Sequence, residues 1–367
     1  MAAKPRFDGE WVKLNQLCTK GRSALRQKDL TNDGPYAVYG ASGIVGSMPT
    51  FQNDIRYVAV VKDGAGVGRA SLCSANTSVL GTMQALIPVE EVSPEYLLHL
   101  IRAMRLGDGF SGSTIPHIYF KDYGQRLVRR VSMVDQGHIV DTLGSIERQM
   151  DIARGQLTKL DDFVKSRFAE MFGDADHYEM LDQLIMDGTS ISYGIVQPGS
   201  DVEGGIGVLR PVDFQAGRVE HGNIKTIDPE ISGKYSRTVL TGNELLVVVR
   251  GATGDVALSD ASLKGMNVTR GIAVVRYDRN KIIPEFLVGY LKSDEAQRYI
   301  AEHTQGSALK QINMADLRVQ PIKVPSLDLQ QEFAALVARV DKSRFIVQQQ
   351  IEKLQMLYDS LAQEYFS

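Results

Sequence analysis

One stretch of this chain is written twice, about 190 residues apart, a period far longer than those of solenoid repeats and one that implies duplicated domains. Gly112-Ser113 aligns with Gly306-Ser307, and the register then runs without a gap to Phe172 and Phe366. Along it Ile118 matches Ile312, Asp122 matches Asp316, Ser132 matches Ser326, Gln136 matches Gln330 and Leu160 matches Leu354. Ser166 and Glu170 likewise match Ser360 and Glu364. Upstream, with small gaps, Pro94-Glu-Tyr-Leu-Leu parallels Pro284-Glu-Phe-Leu-Val, and Val61-Lys-Asp-Gly-Ala parallels Val249-Arg-Gly-Ala.

Each copy closes on a segment with heptad-spaced apolar residues. The first carries Ile139, Ile146, Ala153 and Leu160 on one seam and Leu143, Met150, Leu157, Val164 and Met171 on the other. The second alternates Phe333, Val340, Val347, Leu354 and Leu361 with Val337, Ile351, Tyr358 and Tyr365, and Arg344 interrupts it. A 3.5-residue repeat sustained over about four heptads predicts a coiled coil, and two equivalent seams in one chain offer each other a partner. Each helix would run about 38 residues, or roughly 57 Å.

The remaining sequence reads as α+β. Short β-branched runs bounded by Gly, Asp and Asn predict strands at Arg56–Val61, Val79–Ile87, Leu245–Arg250 and Ile272–Arg276. Proline at the first helical position predicts helices over Pro94–Arg105 and Pro284–Tyr299. The expected organisation is a globular domain over 1–134, a helix over 135–176, a second globular domain over 177–327 and a final helix over 328–367.

Several chemistries find no support. There is no GxxxxGK[ST] phosphate loop, and no Asn-Pro-Pro-aromatic or Asp-Pro-Pro-aromatic tetrapeptide of an adenine-amino methyltransferase. The run from Gly64 to Gly68 reads as a glycine-rich β-turn and not as a dinucleotide loop. The histidines His99, His117, His138, His177, His221 and His303 show no metal-ligand spacing, and Cys18 and Cys73 stand in no CxxC pair, so no metal is expected and both thiols should be buried and free. The longest apolar runs are far shorter than the roughly 20 residues of a membrane span, and the MAAKPRFDGEW start lacks a secretory core, so a cytoplasmic protein is expected. Net charge is −3, but its distribution is uneven. Lys and Arg outnumber Asp and Glu 14 to 9 between Trp11 and Val134 and are outnumbered 5 to 11 between Asp135 and Asp182.

In its order of features the sequence resembles the specificity subunit of type I restriction-modification systems. The resemblance is carried by Tyr39-Gly-Ala-Ser-Gly-Ile-Val-Gly46, by Tyr193-Gly-Ile-Val-Gln-Pro-Gly199, and by the repeated Gly-Ser, Ile and Asp ending that leads through Pro325 to Gln330 and a long helix. The first copy departs from that ending with Val131 in place of Pro325 and His117 in place of Gln311. The resemblance implies a non-catalytic subunit whose two target-recognition domains each read one half of a bipartite site in double-stranded DNA. Two long antiparallel helices would separate the domains and give the repeat pseudo-two-fold symmetry. It further implies two methyltransferase subunits and restriction subunits as partners, with S-adenosylmethionine, ATP and Mg held by those partners and no cofactor by this chain. A specificity subunit of a methyltransferase system without a type I motor, and a coiled-coil structural protein, are the competing readings.

Base reading needs donors and acceptors presented on loops. The candidates by loop position are Tyr39, Ser42, Lys62, Arg69, His117 and Lys121 in the first domain. In the second they are Tyr193, Gln197, Arg250, Lys264, Asn267, Arg270, Lys310 and Gln311. Each alone also fits a solvated surface residue or a turn former. The cluster Lys20, Arg22, Arg26 and Lys28 suits phosphate contact or a solvated face. The candidate spacer and partner-docking positions are Ile139, Leu143, Ile146, Met150, Leu157 and Leu160 on the first helix, and Val337, Val340, Val347, Ile351, Leu354 and Tyr358 on the second.

Overall fold

The computed structural model describes residues 7–109, 116–215, 218–306 and 310–366. Gly112, Ser113 and Ser307 of the repeated ending lie outside the described residues. Packing divides the chain into two units, residues 1–155 with 347–367, and residues 156–346. The division runs through the middle of both long helices, and not at the helix ends where the sequence had suggested domain boundaries.

In the first unit the strands are β1 (Gly9–Lys13), β2 (Cys18–Lys20), β3 (Tyr36–Gly40), β4 (Gly43–Met48), β5 (Tyr57–Val61), β6 (Ala70–Cys73), β7 (Ser78–Val79), β8 (Met83–Pro88) and β9 (Leu127–Val131). Helices α1 (Pro94–Ala103) and α2 (Phe120–Tyr123) precede the long α3 (Met133–Phe172). In the second unit the strands are β10 (Tyr178–Met180), β11 (Ser192–Tyr193), β12 (Ile206–Leu209), β13 (Phe214–Gln215), β14 (Arg218–Val219), β15 (Lys225–Ile227), β16 (Leu245–Val248), β17 (Val256–Leu258), β18 (Asn267–Val268), β19 (Ile272–Val275), β20 (Thr304–Gln305), β21 (Gln311–Ile312) and β22 (Pro321–Lys323). Its helices are α4 (Pro229–Gly233), α5 (Pro284–Leu291), α6 (Asp294–Glu302), α7 (Met314–Arg318) and the long α8 (Leu327–Phe366).

The two units are wired alike. An antiparallel sheet of order β2-β8-β5-β6 in the first corresponds to β11-β19-β16-β17 in the second. A three-stranded sheet β4-β3-β7 corresponds to β15-β12-β18, and in both the last pair is parallel. The ribbon β1-β9 corresponds to β10-β22.

The central strand of each larger sheet explains its layering. All five residues of β5 and all four of β16 are buried, so the period-two alternation of a strand sends side chains into two separate cores. Val58 and Val60 face α1 and the long helices, while Tyr57, Ala59 and Val61 face the side of β7 and Val79. In the second unit Leu245 and Val247 face α5 and the long helices, and Leu246 and Val248 face Leu209 and Val268 of the smaller sheet. Each unit is therefore helix, sheet and small sheet in three layers.

The matched glutamines join the helical layer to the sheet. Gln136 is buried, accepts from the Ser93 amide at 2.9 Å and donates to the carbonyls of Glu91 at 2.9 Å and Val131 at 3.2 Å. Gln330 repeats this, accepting from the Ile283 amide at 2.8 Å and donating to the Pro325 carbonyl at 2.8 Å. Each thus ties the first turn of a long helix to the amide just before the Pro-initiated helix, where no i−4 carbonyl is available.

Both long helices bury the expected seam. Ile139, Leu143, Ile146 and Met150 are buried in the first unit with Tyr358 and Tyr365. Leu157, Leu160, Val337, Val347, Ile351 and Leu354 are half-buried, and Val340 is buried. In the second unit the helices run antiparallel: Phe168 and Phe172 meet Phe333 edge-on with centroids 5.3 and 5.6 Å away, and Asp161 meets Arg344 at 2.6 Å. Arg344 interrupts the apolar pattern yet costs little, because Asp161 and Asp341 both pair with it. Phe168 and Phe172 fell outside the heptad reading.

Two sequence expectations need correction. The helix expected over 284–299 is two helices, because the Ser293 side chain accepts from the Ala296 amide and Asp294 and Glu295 favour a new N-terminus. The strand expected over 79–87 divides at Leu80 to Thr82, with β7 and β8 in different sheets. Among the described residues, no helix is long and apolar enough to cross a membrane, and Cys18 and Cys73 are buried free thiols.

Two measurements follow from this packing. Gln330→Ala strands a buried amide and a carbonyl, so denaturant titration should show a loss of about 1–3 kcal/mol, with Gln136→Ala behaving alike. Burial, and then the charge of Arg102, hold the imidazole of His99 down from 6.5 to about 4, and its Nδ1 lies 2.8 Å from the Tyr358 hydroxyl. Between pH 6.5 and 4 the unfolded chain takes up the proton and the folded chain does not, so this stability is present above pH 6.5 and is lost on acidification through that window, by at most about 3 kcal/mol. Stability measured from pH 7 to 4 should fall less steeply in His99→Asn.

Candidate nucleic-acid interface

In each unit the strand β5 or β16 runs out into a glycine turn that meets the segment before α2 or α7. Five main-chain hydrogen bonds fix this turn in the first unit. Val61 N donates to Arg69 O, Gly68 N to Val61 O, Lys62 N to Thr82 O, Ile118 N to Lys62 O and Gly64 N to Pro116 O, all at 2.8 to 3.0 Å. The second unit makes the same five: Val248 N to Asp255 O, Gly254 N to Val248 O, Val249 N to Gly271 O, Ile312 N to Val249 O and Gly251 N to Lys310 O, at 2.8 to 3.1 Å. Both loops turn at a glycine with positive φ, Gly64 at 86° and Gly251 at 92°, where any other residue would be strained.

This ladder corrects the alignment. Val61 takes the place of Val248, not Val249, so Lys62 answers to Val249 and Asp63 to Arg250, and the gap falls later in the turn. The bridges agree: Asp63 faces His117 and Arg250 faces Gln311.

Further backbone bonds bring the other candidates to this platform. In the second unit Ile195 N donates to Val268 O and Arg270 N to Ile195 O, both at 2.8 Å, which sets the Tyr193–Gln197 loop beside Arg270 and Gly271. Tyr193, Gln197, Arg270, Lys310 and Gln311 are exposed and Arg250 is half-buried. The guanidinium of Arg250 has no hydrogen bond or ion pair among the described residues.

In the first unit Leu80 N donates to Tyr39 O at 2.9 Å and Gly81 N to Leu25 O at 2.6 Å. Leu25 therefore occupies the place of Ile195, and Tyr39 that of Leu209, so the two glycine segments that mark the sequence lie at different points of the shared framework. Ser42 is exposed at the β3–β4 turn, and an open groove of about 620 Å³ runs between Leu25, Gln27, Ser42 and Thr82. Lys62 is half-buried and Arg69 exposed. His117 Nδ1 lies 2.7 Å from Asp63 Oδ1, its ring stacks on Tyr119, and Lys121 Nζ sits 5.4 Å from the Tyr119 centroid.

Two candidates do not join these platforms. Asn267 is fully buried: its amide oxygen accepts from the Thr238 hydroxyl at 2.7 Å and the Val268 amide at 2.9 Å, and its nitrogen donates to Ser232 Oγ at 3.1 Å. It is a core residue and cannot reach a base. Lys264 is exposed and precedes β18, and it takes part in none of the ladder bonds. Arg26, of the basic cluster, lines the groove beside Ser42 and is paired with Asp29 through Nε and Nη2, both at 3.0 Å.

Sequence reasoning missed Asp63, since only the ladder shows it paired with His117. The fully buried Glu244 also carried no signal. Burial works to raise its pKa, but donors from Ser259, Thr241 and Asn243 outweigh this and hold it below the usual value, so it serves as an ionised anchor of the β15–β16 connection. Among the described residues no His, Cys, Asp and Glu group could hold a metal ion.

Residues 201–356 match the family model of the type I restriction modification DNA specificity domain. Over that stretch the chain is similar to the DNA specificity domain of type I restriction modification systems. A 199-residue match, 51% of the chain, is 29% identical to the type I restriction enzyme EcoBI specificity subunit of Escherichia coli and spans 40% of that protein's length. The type-I restriction-modification system S subunit from M. genitalium is similar in fold, with a TM-score of 0.52, 14% identity, and coverage of 100% of this chain and 98% of that one. A structure from work on complex assembly and conformational transition of the type I R-M system gives 0.52, 16% identity, and 99% and 98% coverage.

Asn267→Ala should cost about 1–3 kcal/mol in thermal or denaturant unfolding, as expected for buried partners left unsatisfied, while leaving any DNA sequence preference of the folded protein unchanged.

Proposed function

We propose that this chain is the non-catalytic, sequence-reading subunit of a type I restriction-modification complex. Each unit is a target-recognition domain that presents its loop platform to one half of a bipartite, asymmetric site in double-stranded DNA. The observation that carries this reading is the pair of identical main-chain ladders bearing different side chains: Lys62, Asp63 and His117 on one, Arg250, Lys310 and Gln311 on the other. A duplicated frame with unlike loops is what two unlike half-sites require, since sequence is read by side chains at base edges while the frame sets register.

The long helices pair as an antiparallel coiled coil that sets the gap between half-sites and, through its outer faces, docks two methyltransferase subunits and the restriction subunits. The two equivalent units give two identical partners equivalent surfaces, and the assembly pseudo-two-fold symmetry. S-adenosylmethionine, ATP and Mg belong to those partners. Tyr39, Ser42, Lys62, Arg69, His117 and Lys121 on one platform, and Tyr193, Gln197, Arg250, Arg270, Lys310 and Gln311 on the other, are the proposed DNA-contacting set. With the chain's net charge at −3, partner subunits supply part of the phosphate attraction.

Single-molecule sequencing for N6-methyladenine, with and without the gene in the source strain, tests the reading. A split motif with a fixed gap should be methylated only when the gene is present, and an unchanged methylation pattern would count against it. Replacing residues 1–134 by the equivalent segment of another specificity subunit should change one half of that motif and keep the other; a change in both halves would sink the two-reader arrangement.

A further inference from the structure

The two ladders place residues of opposite charge at one position. Asp63 and Arg250 each follow the residue just past the strand whose amide is held by Thr82 or Gly271, each precede the positive-φ glycine, and each bridge to the segment before α2 or α7. Their main chains are thereby fixed on both sides, and what differs is the side chain. Arg250 carries a guanidinium with no partner among the described residues, beside Gln311 and Lys310. Asp63 carries a carboxylate held through Oδ1 by His117 at 2.7 Å, while Oδ2 takes no hydrogen bond among the described residues.

These groups are complementary opposites in the major-groove code. A guanidinium presents two parallel donors, matching the O6 and N7 acceptors of guanine, whereas a carboxylate accepts from an exocyclic amino group and is repelled by those same acceptors. Resting on the DNA-reading function proposed above, we infer that this single position makes the two half-sites unlike: Arg250 selects a guanine in one half, and Asp63, oriented by His117, selects an exocyclic amino group in the other and rejects guanine there. Arg250 is thus a base reader and not a phosphate clamp, and His117 acts through Asp63 as a positioning residue.

The test is selection from a random duplex library by the full chain, purified with the subunits that accompany it. The wild type should enrich a split motif with a guanine in the half read by the second unit. Arg250→Ala should relax that one guanine by roughly 10- to 100-fold in preference and leave the other half as it was. Arg250→Lys keeps the charge but loses the fork, so it should bind within a few-fold of wild type while losing the same preference. Asp63→Arg should bring a guanine into the half read by the first unit. Equal weakening on all sequences by Arg250→Ala, with the guanine preference intact, would make Arg250 a phosphate contact and overturn the inference while leaving the two-reader function standing. A second half-site without guanine, or Asp63→Arg with an unaltered motif, would overturn it as well. A wild-type complex that enriches no sequence would remove the function and the inference together.

Discussion

Everything in each unit is arranged around a strand with no wet face. Tyr57–Val61 and Leu245–Val248 are buried throughout, so one set of side chains must be met by helices and the other by a second, smaller sheet. That requirement recruits α1 and α5, and with them the apolar stripes of the long helices. It also leaves only one exit for the strand, into a turn whose amides and carbonyls must find partners. They find them in the segments at Thr82, Pro116 and Ile118, or at Gly271, Lys310 and Ile312. The platform is therefore a by-product of satisfying the strand's last polar groups.

Among the described residues half of the ion pairs join charges two or three positions apart, and the exposed pairs add little to stability. Arg344 is different, since it sits in an otherwise apolar seam with its side chain 17% exposed and is held by two aspartates, one from each long helix. Removing either carboxylate weakens the compensation of a charge that the seam largely covers. Glu244 shows the same logic in the sheet region, where a ring of short donors replaces the water that burial removes.

Features written in side-chain period were legible in the sequence. The heptad positions of Ile139 to Leu160 and Val337 to Tyr358 are buried or half-buried, the strands at Tyr57–Val61, Leu245–Val248 and Ile272–Val275 fall within their β-branched runs, and the aligned Gln136 and Gln330 make equivalent bonds. What was not legible depends on main-chain partners far apart in the chain. No local pattern tells that Val61 answers to Val248, because the hydrogen bonds that decide it come from Thr82, Ile118, Gly271 and Ile312. Asn267 looks like a loop asparagine by its neighbours, yet Ser232, Thr238 and Tyr235 from another segment enclose it. The break at Ser293 turned on one serine reaching the Ala296 amide, against a leucine spacing that read straight through.

The ladder that holds each platform is made wholly of backbone atoms. Its bonds are indifferent to which side chains ride on them, apart from the glycines whose φ is positive. Substitution at 62, 63, 117, 250, 310 or 311 by any residue but proline keeps the donors and acceptors of these main-chain bonds and alters what is displayed. Stability and recognition are thus set by separate groups of atoms in the same dozen residues, and the displayed chemistry can drift through many variants, including reversal of charge, without the fold having to be solved again.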